Sequence, residues 1–127
     1  MATRGFEELR VYQLSEKLAD EIWKIVSEWD YMAKDTVGKQ LVRAVDSVGV
    51  NIAEGTGRGS YQDNRRFVRI ARGSLYEVRH WLRRAYSRGL LTEDHILSTK
   101  LLLQELAPKL NAYLRSIGAQ KPKTDNK

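Results

Sequence analysis

The sequence predicts an all-α fold: four long helices sharing one core over residues 1–117, followed by a polar, basic, disordered tail over residues 118–127. Two observations carry that prediction. Apolar residues recur at spacings of three and four in four long segments, the period that lines one face of a helix, whereas the alternation of a half-buried strand is scarce. Only two prolines interrupt the 127 residues, a length that suits one domain with a real core.

The lead segment, Met1 to Arg10, offers Phe6 and Leu9 to the end of the bundle. The first helix is expected to reach about Trp29, with an inner seam of Val11, Leu14, Leu18, Ile22, Ile25 and Trp29. That alternation of threes and fours suits antiparallel packing at a crossing angle of about 20°. Tyr12, Ala19, Trp23 and Val26 form a second apolar stripe, roughly 60° to 120° round the helix. The combined surface exceeds one intramolecular groove, so the second stripe reads either as a broad core face or as a subunit interface.

Asp30 to Asp35 has turn character, and Asp35 or Thr36 is the expected cap of a second helix reaching about Glu54. Val37, Leu41, Ala44, Val45, Val48 and Ile52 form its core stripe, while Gly38, Gly49 and Ala53 leave room for a close neighbour. Beside them run Gln40, Ser47, Asn51 and Glu54, matched on the third helix by Ser74 and Glu77. Polar groups at the edge of a core must find partners, so these six predict a structural hydrogen-bonded network. The linker Gly55-Thr-Gly-Arg-Gly-Ser60 has the glycines of a phosphate loop but not its lysine, its spacing or a preceding strand. It reads as a turn, with Ser60 as N-cap and Asp63 as its partner three residues on.

The third helix, from Ser60 to a C-terminal glycine at Gly89, organises the chain. Phe67, Ile70, Ala71, Ser74, Val78, Trp81, Leu82 and Ala85 make its expected core face. Arg65, Arg69, Arg72, Tyr76, Arg79 and Arg83 superpose within about 80° of arc on the other side. From Arg58 to Arg88 nine arginines (58, 65, 66, 69, 72, 79, 83, 84, 88) face only Asp63 and Glu77, a net of +7 in a chain whose total is +6. Residues 1–33 oppose it, with four basic groups against seven acidic ones. Solvated helix faces usually mix signs. An unmixed arginine row repels itself until an anion lies against it, and guanidinium suits bidentate contact with phosphate or carboxylate. Thr92 is the expected cap of a fourth helix that turns Ile96, Thr99, Leu103, Leu106, Leu110, Tyr113, Leu114 and Ile117 inward; Pro108 is expected to kink or split it.

Composition narrows the chemistry. There is no cysteine, hence no disulfide, thiol nucleophile or cysteine-bound zinc. No apolar run approaches 18 residues and no signal-peptide pattern opens the chain, so a bacterial-type cytoplasmic protein with no membrane partner is the default. Glu77-x-x-His80 has the spacing of a di-iron helix, but such a site needs a second copy and two further glutamates. With no other metal motif and no assignable catalytic set, neither catalysis, a metal nor a cofactor is expected.

The run Ser47-x-x-x-Asn51-Ile52-Ala53-Glu54-Gly55, then Arg58, Phe67, Ile70-Ala71, Gly73-Ser74 and Glu77, resembles the signature of the four-helix-bundle proteins related to the bacterial large-subunit rRNA intervening-sequence protein. The opening Phe6-x-x-Leu9-x-Val11-Tyr12 is similar too. The likeness spans the chain to about Ile117 and extends, more distantly, to the accessory variability determinant of diversity-generating retroelements. It implies an antiparallel up-down four-helix bundle assembled as a cyclic homopentamer with a basic, nucleic-acid-binding surface; in the distant branch the pentamer binds a reverse transcriptase as well.

Residues and resemblance together predict an oligomer whose basic face binds nucleic acid, RNA in preference to DNA, with tolerance of sequence. Arg58, Arg65, Arg69, Arg72, Arg79 and Arg83 are the expected phosphate contacts, and Tyr76 stacks on an unpaired base or covers arginine stems. The alternative is an oligomeric scaffold or accessory subunit that docks a protein, such as a reverse transcriptase. In that case the arginines serve assembly, pairing with Glu16, Asp20, Glu21 and Glu28 of the first helix.

Overall fold

The computed structural model describes residues 5–119. The predicted tail, apart from Gly118 and Ala119, lies outside the described residues. A short 3-10 turn, Phe6–Glu8, leads into α1, Arg10–Ser27. Next comes α2, which begins as Tyr31–Ala33, widens into a π turn over Lys34–Gly38 and continues as Lys39–Thr56. It is followed by α3, Tyr61–Ser87, and α4, Glu93–Ser116. These four long helices make the fold all-α, with no strand among the described residues.

One core joins them. The expected seam of α1, from Val11 to Trp29, is buried in full, and so are the six core residues expected on α2. The Trp29 indole closes one end by donating from Nε1 to the Leu90 carbonyl at 3.0 Å. Asp30, not Asp35 or Thr36, caps α2: its carboxylate accepts from the Ala33 N–H at 3.0 Å. Asp35 instead lies 3.5 Å from Lys39, and the Thr36 hydroxyl donates back to the Met32 carbonyl. The helix starts early because nothing between Tyr31 and Lys34 breaks it once Asp30 satisfies a first-turn donor. The π turn then sets the sequence neighbours Val37 and Gly38 both into the core. At Gly38 a Cβ would stand 2.7 Å from Val26 Cγ1, so α1 and α2 approach through the missing side chain.

The face buried on α3 is rotated from the expected one. Val68 and Leu75 are inside, at 0% and 3% exposure, whereas Ile70 is 42% exposed and Phe67 and Trp81 are only partly covered. The shift is roughly 40° round the helix. The apolar surface of α3 is wider than its core, and packing between α2 and α4 selects the Val68–Leu75–Leu82 side. On α4, Thr99, Leu106, Leu110 and Leu114 are buried, as is Ile117 just beyond it, while Ile96, Leu103 and Tyr113 are half-covered. Pro108 does not split α4, which runs unbroken through it. The proline is exposed and forfeits one helical bond, while Leu106, Leu110 and Leu114 anchor the helix on both sides of it. No helix is long and apolar enough to cross a membrane among the described residues.

Candidate nucleic-acid interface

Two caps and a turn hold α3 in place. Ser60 adopts extended backbone and its Oγ accepts from the Asp63 N–H at 3.1 Å, stopping the glycine-rich linker and starting the helix. Gly89 ends it at φ 72°, a left-handed conformation suited to glycine. Thr92 then caps α4 through a reciprocal box with His95. These stops give α3 its 27 residues, long enough to carry the whole arginine row on one rigid element.

The expected polar network contracts to three residues. The hydroxyls of Ser47 and Ser74 are 2.8 Å apart, and Asn51 Nδ2 donates to the Ser47 hydroxyl and carbonyl at 3.0 and 2.8 Å. Gln40 and Glu77 are exposed and bond to none of the described residues, while Glu54 is drawn away by Arg58, 2.8 Å off. The reason is geometric: the rotation of α3 turns Ser74 onto α2 and leaves Glu77 in solvent.

That rotation also divides the arginine row. Arg65 and Arg72 lean towards α4, where Arg65 Nη1 donates to the Ile117 carbonyl at 2.8 Å and Arg72 Nη1 to Asn111 Oδ1 at 3.3 Å. Arg69, Arg79 and Arg83 stay exposed, with no carboxylate within 4 Å among the described residues. Tyr76 stands between them, 61% exposed, with the Arg79 guanidinium 5.8 Å from its ring centre. Arg58 sits in the linker, apart from the row.

A second cluster joins Arg58, already expected as a phosphate contact, to Arg66, which sequence reasoning did not single out. The guanidiniums of Arg58 and Arg66 lie 4.7 and 4.6 Å from the ring centre of Phe67, beside the start of α3. Arg66 is about 100° from the row on a helical projection, so periodicity set it aside. Its adjacency to Phe67 in the sequence was the available signal.

Of the expected interface residues on α1, Trp23 is 63% exposed and Tyr12 and Ala19 are half-buried, but Val26 belongs to this chain's own core at 8%. It is excluded from an outer surface because Gly38 lets α2 close directly over it. The groove between α1 and α2 gathers Glu16, Asp20 and Asp46. Burial and the nearby Asp20 charge push the Asp46 carboxyl above its ordinary range, and burial with the neighbouring Glu16 raises the Tyr12 phenol. His80 packs edge-on against Trp81 at 4.9 Å. No group of three acidic or histidine side chains suited to a metal occurs among the described residues.

Residues 7–112 match the family model described as 23S rRNA-intervening sequence protein. The fold is similar to that of a protein of unknown function from the S23 ribosomal protein family of Bacteroides thetaiotaomicron VPI-5482. The TM-score is 0.73 at 21% identity, over 84% of this chain and 99% of that one. At that identity the likeness concerns the fold alone. No curated protein matches the chain significantly.

Proposed function

The chain belongs to the 23S rRNA-intervening sequence protein family, and from that premise and the surface of α3 we propose a non-enzymatic, oligomeric nucleic-acid-binding protein that takes RNA in preference to DNA. The observation carrying this reading is the exposed row Arg69, Tyr76, Arg79 and Arg83, whose cations have no carboxylate within 4 Å among the described residues. Phosphates laid along it relieve the mutual repulsion and release counterions, which supplies affinity without reading sequence. Exposed Tyr76 provides a stacking surface for an unpaired base, which favours single-stranded or looped RNA over a duplex. Arg58 and Arg66, held around Phe67, extend the surface past the start of α3.

The proposal takes the helices as an antiparallel up-down bundle. Support comes from cross-helix pairs whose numbers run in opposite directions: Gly55 with Asn64 and Ser47 with Ser74, then Glu21 with Ser98 and Arg10 with Glu105. A cyclic homo-oligomer, the pentamer that the sequence resemblance implies, repeats the basic surface around a ring in the cytoplasm.

The test is fluorescence anisotropy with a structured RNA, comparing wild type with an Arg69→Glu/Arg72→Glu variant of unchanged mass and helicity. Loss of binding in the variant supports the proposal; equal binding removes α3 as the surface. A second reading, a scaffold or accessory subunit docking a protein, is favoured by an apolar groove beside Arg79 and Arg83. It expects that equal result.

A further inference from the structure

The space between α3 and α4 opens into a groove of about 650 Å³. Leu82, Leu91, Ile96, Leu103 and Ala107 line it with apolar surface, and its charged residues are Arg79 and Arg83 from α3 and Lys100 from α4 against one carboxylate, Glu93. Leu97 and Leu101, at 56% and 57% exposure, continue the apolar surface along the outside of α4. Apolar floor and net positive charge together call for an amphipathic, acidic helix.

The chain carries such a helix. On α1, Tyr12, Glu16, Ala19, Asp20 and Trp23 fall within about 100° of arc on a helical projection, with Glu16, Asp20 and Trp23 exposed and Tyr12 and Ala19 half-buried. No basic residue shares that face. Trp23 is 63% exposed, a large apolar ring beside Lys34 and Lys39 of α2, with Asp20 one turn and Glu16 two turns before it on the same face. The terminal residues 120–127 have the wrong sign for the groove, with three lysines against one aspartate.

We propose that α1 of one copy docks into the α3–α4 groove of the next, placing Trp23 on the floor formed by Leu91, Ile96 and Leu103 and setting Glu16 and Asp20 against Arg79, Arg83 and Lys100. This inference rests on the oligomer proposed above and identifies its interface. Groove and helix face are different surfaces, so the contact is heterologous: each copy gives one and receives one, and the series closes into a ring. A central aromatic anchor with charges at the rim is the usual distribution of interface energy. One consequence is a division of labour along α3. In the assembled ring the neighbouring copy's carboxylates pair with Arg79 and Arg83, so of the exposed row Arg69 and Tyr76, with Arg58 and Arg66 around Phe67, are left for RNA.

Light scattering on size-exclusion peaks tests this, using full-length wild type, Trp23→Ala, Glu16→Arg/Asp20→Arg, Arg79→Glu/Arg83→Glu and the four-residue combination of the last two. Circular dichroism checks that each keeps wild-type helicity. Wild type is expected as an oligomer, and the first three variants at the 14.6 kDa of the monomer. The combination, which swaps Glu16 and Asp20 with Arg79 and Arg83 in sign and leaves Lys100 as it is, is expected to recover the oligomer. An oligomer that survives all the substitutions places the interface elsewhere and overturns this inference while leaving the oligomer reading intact. A monomeric wild type overturns both. Failure of the combination to reassemble overturns the charge pairing.

Discussion

The Ser47–Ser74–Asn51 cluster ties the arginine-bearing helix to α2, and its energetics can be worked from three distances. Ser74 is 6% exposed and its hydroxyl meets Ser47 at 2.8 Å, while Ser47 also accepts from Asn51 at 3.0 Å. Ser74→Ala deletes one hydrogen bond but leaves Ser47 engaged with Asn51, so the expected cost is about 1 kcal/mol. Ser47→Ala strips the partner from the buried Ser74 hydroxyl and one of two acceptors from Asn51, for about 2 kcal/mol. In the double variant neither hydroxyl remains to be left unsatisfied, so the losses are not additive; the expected coupling is about 1 kcal/mol. Urea denaturation followed by circular dichroism measures each midpoint, with an unchanged m-value as the check that only stability has moved. Additive losses would refute the claim that the two hydroxyls bond across the helices.

Three further outcomes follow from packing and charge. Leu106→Ala, at a position with no exposure, costs about 2–5 kcal/mol of unfolding free energy, whereas Leu101→Ala, 57% exposed, leaves monomer stability nearly unchanged. Pro108→Ala restores an N–H to the exposed side of α4 and is expected to stabilise by about 1–3 kcal/mol; a loss in thermal or urea denaturation would mean that the ring itself contributes packing. Asp46 has its folded pKa raised above the ordinary 3.8 by burial and by Asp20, so its ionisation weakens the fold as pH rises through that range. Asp46→Asn therefore raises the melting temperature at neutral pH, and the gain disappears below about pH 3.8, where the carboxyl is protonated in both states.

Much of the architecture was legible because it depends on local chemistry. The α1 seam from Val11 to Trp29 is a plain 3.6-residue stripe, and Ser60, Gly89 and Thr92 each carry the side chain or conformational freedom that a helix end needs. What escaped was decided by neighbours distant in sequence. Asp30 and Asp35 both have capping chemistry; Asp30 takes the cap, and Val37 and Gly38 of the helix it starts pack into the core against α1. On α3 the apolar arc is wider than the core, so Ile70 and Leu75 compete for the inside and α4 chooses Leu75. The same choice lifts Glu77 out of the predicted network and brings Arg65 and Arg72 onto α4. The arginine row itself was plain in the sequence, because charge of one sign at helical spacing needs no tertiary information. The pairing of Arg58 and Arg66 across Phe67 was not, because it joins a linker residue to a helix.

The central claim, that the exposed arginines of α3 hold nucleic-acid phosphates, is tested most directly by the salt dependence of binding. Wild-type affinity for a structured RNA would be measured by anisotropy from low to moderate salt, beside a duplex DNA of equal length. Loss of affinity with a log–log slope corresponding to about four or more phosphates, and weaker binding of the duplex, is the predicted result. No binding, or binding indifferent to salt, would contradict it and assign the arginines to assembly or to a protein partner.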